Sequence, residues 1–128
     1  FGVVVDSSGS MQRSDLGKAL GAMVSYAQAQ GVQQVRLVYC DAQPYDQGYV
    51  DVQALALRVQ VRGRGGTVLQ PALTLLETRT DFPKNGPILV ITDGLCESEL
   101  TLHRDHAFLL APGCRLPFRT GRPVFQMQ

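Results

Sequence analysis

The sequence lacks the features that mark several protein classes. Cysteine is scarce and odd in number: Cys40, Cys96 and Cys114, at irregular spacing. That argues against a disulfide framework and fits a reducing, cytoplasmic setting, although a Cys96–Cys114 bridge stays open. Charge of one sign is not in excess, since 12 Lys and Arg face 11 Asp and Glu for a net +1. A nucleic-acid binder held by bulk electrostatics is therefore not expected. No apolar run approaches the roughly 18 residues that span a bilayer, and the longest, such as 87–91, are strand-sized. No charged leader precedes the first apolar run, so no signal peptide is expected. The chain opens on Phe1 rather than Met, which suggests an excised domain. Thirteen Gly and seven Pro are too few for a fibrous or low-complexity chain. What remains is 128 residues with 45% hydrophobic side chains, enough for one domain (1–128) with a real core and no staples.

Apolar patterning predicts the elements. Residues 1–5 form a continuous β-branched run ending at Asp6, as in a strand buried on both faces of a parallel sheet. Ser14 and Asp15 suit the start of a helix, which Leu16, Ala19, Leu20, Met23, Val24 and Ala27 continue at helical spacing up to Gly31. Gly17 and Gly21 weaken that helix, and close packing on the sheet is the expected reason. Strands are predicted at 35–40, within 44–52 (a turn and a short edge strand), at 88–92, 107–111 and 123–127. Helices are predicted at 54–59, 69–78 (with Pro71 in the first turn) and 97–104. Loops take 62–67 and 83–87. The alternation implies an α/β fold: a Rossmann-like three-layer sandwich with a mostly parallel sheet and helices on both faces.

The chemistry gathers at strand ends. Two predicted strands end in aspartate, Asp6 and Asp93, and ligands of open α/β sheets bind beyond the carboxyl ends of strands where the strand order reverses. Loops there also carry Ser8, Ser10 and Thr67. All five side chains offer oxygen, which suits a hard cation such as Mg²⁺, with Mn²⁺ or Ca²⁺ as alternatives. Two carboxylates roughly neutralise such an ion. An open coordination position would accept a carboxylate from a partner.

These residues also carry a resemblance. Asp6-Ser7-Ser8-Gly9-Ser10 fits D-x-S-x-S, the opening motif of von Willebrand factor A (VWA) domains. Thr67 after Gly65-Gly66, and Asp93 in Ile91-Thr92-Asp93-Gly94, fit the other two parts of their metal-ion-dependent adhesion site. Order and spacing match, over nearly the whole chain. With Tyr39-Cys40-Asp41-Ala42, the sequence most resembles the VWA-like domain at the C-terminus of bacterial proteins described as metallopeptidases. The resemblance implies that Ser8, Ser10 and Thr67 hold the metal through hydroxyls. Asp6 and Asp93 would act mainly through bound water and charge. It implies a non-enzymatic module that binds an Asp or Glu of a protein partner, in the manner of adaptors that work beside MoxR-type AAA+ ATPases. The mainly helical region that precedes the domain in that group is not in this chain, nor is H-E-x-x-H, so no peptidase activity carries over.

Other readings compete. A hydrolase would use Ser8, Asp93 and His106, in the chain order of α/β-hydrolases, but no G-x-S-x-G elbow is present. An aspartyl phosphatase would need a second Asp where Ser8 stands, and the 62–67 loop lacks a P-loop lysine. His103 and His106, three apart, could make a zinc site with Cys96 or Cys114. Asp41 reads as a turn residue or the rim of the crevice, and Arg62 and Arg64 as a solvated loop or a greeting for an acidic partner.

Overall fold

The two runs of β-branched residues that end in aspartate form the middle of one sheet. In the computed structural model, which describes residues 1–6, 13–58 and 68–126, β1 (Gly2–Asp6) and β4 (Ile88–Thr92) are parallel neighbours with Val5 opposite Ile91. Every residue of β1 is buried, as a central parallel strand requires. On its other side β1 pairs in parallel with β2 (Gln34–Cys40), Asp6 lying opposite Cys40. β3 (Pro44–Asp51) runs antiparallel to β2 at one edge. β5 (His106–Leu110) and β6 (Val124–Gln126) extend the sheet in parallel beyond β4. The order is β3-β2-β1-β4-β5-β6, so the sheet is mostly parallel, as the alternation of elements predicts.

Successive strand residues point to opposite faces, and two apolar clusters follow from that. Val3 and Val5 pack with Leu20 and Met23 of α1 (Arg13–Ala29) and with Val52 and Leu55 of a 3-10 helix (Val52–Arg58). Val4, Val38 and Val90 pack with Leu73 and Leu76 of α2 (Gln70–Thr78) and with Phe82. Pro71 lies in the first turn of α2, where its missing N–H has no helical partner to lose.

Several expectations change. Residues 97–104 form no helix. Their polar groups bond instead to α2: Glu97 accepts from the N–H of Leu69 and of Gln70, and Thr101 exchanges two hydrogen bonds with the Gln70 side chain. The edge strand at 44–52 is eight residues long rather than short. The helix predicted at 54–59 begins at Val52 and is of the 3-10 type. A Cβ on Gly21 would meet nothing within 4 Å, so close packing does not explain that glycine. Among the described residues no helix follows α2.

A charge also lies in what reads as an apolar strand. Arg36 of β2 is only 2% exposed. Its guanidinium donates to both carboxylate oxygens of Asp46 (Nε–Oδ1 2.9 Å, Nη2–Oδ2 2.6 Å) and to Asp81 (2.8 Å), with its Cζ 5.2 Å from the Tyr49 ring centroid. The β2–β3 register shifts between Arg36 and Val38, and Gly48, at φ +73°, takes up the bulge on β3. Its N–H donates to Asp46, which helps to aim that carboxylate at Arg36.

Candidate metal centre

The strand order reverses at β1. The chain goes from β1 to β2 on one side and later returns through β4 on the other, so the crevice of the sheet opens at the C-terminal ends of β1 and β4. Asp6 and Asp93 come together there. Asp6 is fully buried and accepts a 2.9 Å hydrogen bond from the Thr92 hydroxyl. That hydroxyl accepts in turn from the Gly94 N–H at 3.1 Å. Asp93 is 6% exposed, and its Oδ1 accepts from the Leu95 N–H at 2.9 Å. Its Oδ2 is buried and has no hydrogen-bond partner among the described residues. Gly94 holds φ +84°, and a Cβ there would collide with the Arg115 carbonyl oxygen. Only glycine lets this loop turn so tightly behind Asp93.

The surroundings are acidic. Burial first, then the Asp6 charge, pushes the Cys40 thiol well up from its ordinary value. Burial, followed by Glu97, Asp6 and Asp93, pushes Cys96 up to about 12. Both stay protonated near neutral pH and are poor nucleophiles. Cys40, Cys96 and Cys114 form no disulfide with one another, which closes the question of a Cys96–Cys114 bridge in this structure. Asp41 is a turn residue: its Oδ1 accepts from the Gln43 N–H. Its carbonyl oxygen accepts from the Val68 N–H at 2.8 Å, tying the residues before α2 to the end of β2.

Of the five expected ligands, Asp6 and Asp93 are brought to one place. Ser8, Ser10 and Thr67 lie outside the described residues, as do Arg62 and Arg64. Among the described residues no group of three or more His, Cys, Asp or Glu could hold a metal, so the two carboxylates need further oxygen donors to complete a shell. An unpartnered buried carboxylate oxygen beside a second buried carboxylate fits a hard divalent cation by charge and donor type.

The competing constellations come apart. His106 pairs with Ile88 at the N-terminal end of β4, five residues from Asp93. At roughly 3.3 Å per strand residue that is about 16 Å, so Ser8, Asp93 and His106 do not form a hydrolase triad. His106 begins β5 and Cys114 follows its other end, so about 13 Å of strand lies between His106 and Leu110, on the way to Cys114. His106 Nδ1 instead lies 2.8 Å from the Arg104 carbonyl oxygen, and its ring packs edge-on against Phe108. Glu97 is the residue that sequence reasoning missed. Its partners are 27 and 28 residues away, and no local pattern announces them.

The sequence model described as VWA-like domain (DUF2201) matches residues 1–99. The chain belongs to this family. Membership suggests a protein-interaction module. Solved structures support the same VWA-like fold. The conserved hypothetical protein BatB from Bacteroides thetaiotaomicron is similar at TM-score 0.63 and 15% identity, over 87% of this chain and 65% of that one. The three N-terminal domains of the type V pili tip protein Mfa5 from Porphyromonas gingivalis give TM-score 0.55 and 22% identity, over 74% of this chain and 19% of that one. This VWA-like domain thus spans less than two thirds of either solved chain, and at such identities the likeness speaks for the fold alone. No curated protein matches. No described helix is long and apolar enough to cross a membrane.

Proposed function

We propose that this chain is a divalent-metal-dependent protein-interaction module. In this reading it is one VWA-like domain over 1–128, with helical layers on both faces of the sheet and no catalytic activity of its own. The metal, Mg²⁺ with Mn²⁺ or Ca²⁺ as substitutes, is held by Asp6, Ser8, Ser10, Thr67 and Asp93. When bound it supplies a Lewis-acidic position for a carboxylate. Asp6 and Asp93 lend the charge that retains it, Thr92 holds the Asp6 carboxylate in place, and Gly94 lets the Asp93 loop fold back. A protein partner completes the shell with an Asp or Glu side chain. A cytoplasmic adaptor role beside an AAA+ ATPase is the setting this reading implies, with no nucleic acid or membrane involved.

The observation that carries the reading is the buried, unpartnered Oδ2 of Asp93 next to the buried carboxylate of Asp6 at the strand-order reversal. A carboxylate oxygen removed from water and unpartnered among the described residues, as Asp93 Oδ2 is, calls for a counter-charge. Sequence order supports counting three hydroxyls as the remaining donors: Ser8 and Ser10 follow β1, and Thr67 directly precedes Val68, which is tied to the end of β2. Isothermal titration with Mg²⁺ and Mn²⁺, comparing wild type with Asp93→Ala, tests the proposal. Saturable binding lost in the variant is expected. Equal heats from both proteins would remove the site.

A further inference from the structure

We infer that Glu97 is a positioning residue for this metal site: its carboxylate clamps the start of α2 at Leu69, which Thr67 precedes by two residues in the sequence, to the segment that follows Asp93. The inference rests on the metal reading above. α2 begins without a cap of its own. Its N-cap residue is Leu69, which makes no side-chain cap and is fully buried, and the first turn contains no acidic residue. Free N–H groups at a helix start need acceptors. A Ser or Asp at the N-cap would satisfy them locally. Here Glu97 does so from 28 residues away: Oε1 accepts from the Leu69 N–H and Oε2 from the Gln70 N–H, both at 2.8 Å.

The clamp is reinforced on either side. Gln70 Nε2 donates to the Thr101 carbonyl at 2.9 Å, and the Thr101 N–H donates to Gln70 Oε1 at 2.7 Å. Val68 is tied to Asp41 at the end of β2. The three residues that follow Thr67 are therefore bonded to the ends of two segments that border the crevice. Glu97 stands four residues after Asp93, so one carboxylate joins the segment that begins just after Thr67 in the sequence to the segment that follows Asp93. Hydrogen bonds to an ionised acceptor are roughly twice as strong as neutral ones, which suits this joint. Residues that orient ligands in this way typically change metal affinity 10–100-fold when removed.

The test is Mn²⁺ titration calorimetry on wild type, Glu97→Ala, Glu97→Gln and Asp93→Ala, with metal-free amide hydrogen exchange at Leu69 and Gln70. The Mn²⁺ Kd should rise about tenfold in Glu97→Ala and by less in Glu97→Gln, whose amide oxygen still accepts one N–H. Exchange at both amides should accelerate in the same order. An unchanged Kd in Glu97→Ala, together with faster exchange, would reduce Glu97 to a helix cap and overturn the inference while leaving the metal reading intact. Should Glu97→Ala fail to fold, Glu97→Gln carries the same comparison. Failure of wild type to bind Mn²⁺, or unchanged binding by Asp93→Ala, would overturn the metal reading and this inference with it.

Discussion

Arg36 gives the sharpest test of how the sheet is held together. Replacing it with Met removes a guanidinium that is 2% exposed and that grips both oxygens of Asp46, itself 17% exposed. Breaking a buried pair from one side costs about 3–5 kcal/mol, because the surviving charge stays out of water. Two features pull the figure to the low end. Arg79 lies 3.6 Å from Asp46 and offers a partial substitute, and the Asp81 contact is more than half exposed and adds only what a surface pair does. The expected loss is about 3 kcal/mol. For a domain of this size that corresponds to a fall in Tm of about 10 °C. Urea unfolding followed by circular dichroism measures it. The double variant Arg36→Met/Asp46→Leu should recover most of the loss, since an apolar pair of similar volume often matches a buried ion pair. A single-variant loss under about 1 kcal/mol, or a double variant no more stable than the single, would refute the claim that this charge is desolvated.

Other outcomes follow from the same contacts. Hydrogen bonding to Arg36 holds the Asp46 carboxyl below its ordinary value, so its contribution is complete above about pH 4 and disappears as acid protonates it; wild type should therefore lose stability on acidification below pH 4 more steeply than Arg36→Met, as read by urea midpoints across pH. Gly94→Ala adds a Cβ at positive φ against the Arg115 carbonyl and should destabilise by more than about 2 kcal/mol, with a lower thermal midpoint and weaker Mn²⁺ binding. Gly21→Ala should do the opposite, gaining roughly 0.5–1 kcal/mol in urea unfolding, because its Cβ would enter open space on a helix.

The centre of the fold was legible because burial on both faces leaves a plain signature. β1 is apolar up to Val5 and β4 up to Ile91, and an aspartate stands at or just past the end of each strand. The mostly parallel sheet follows from strands alternating with helical periodicity. Long-range polar contacts were not legible. Arg36 looks like an ordinary interruption of an apolar strand until Asp46 and Asp81, 10 and 45 residues away, are placed beside it. Residues 97–104 carry helix-compatible spacing, yet Glu97 and Thr101 bond to α2 rather than within their own segment. The hydrolase and zinc alternatives both used His106, and only strand register shows that it sits at the other end of the sheet from Asp93. For the candidate site, the pairing of Asp6 with Asp93 could be anticipated from the two strand ends, whereas the cap supplied by Glu97 could not.

The bond from Thr92 to Asp6 joins positions 86 residues apart, and that separation dictates an assembly order. Neither half of the polypeptide owns a pocket: a fragment stopping before β4 keeps one acid, and a fragment starting after the 3-10 helix keeps the other. Under the proposed metal reading, ion capture would wait until the central strands have zipped together, and a bound ion would report on the whole sheet rather than on any local loop.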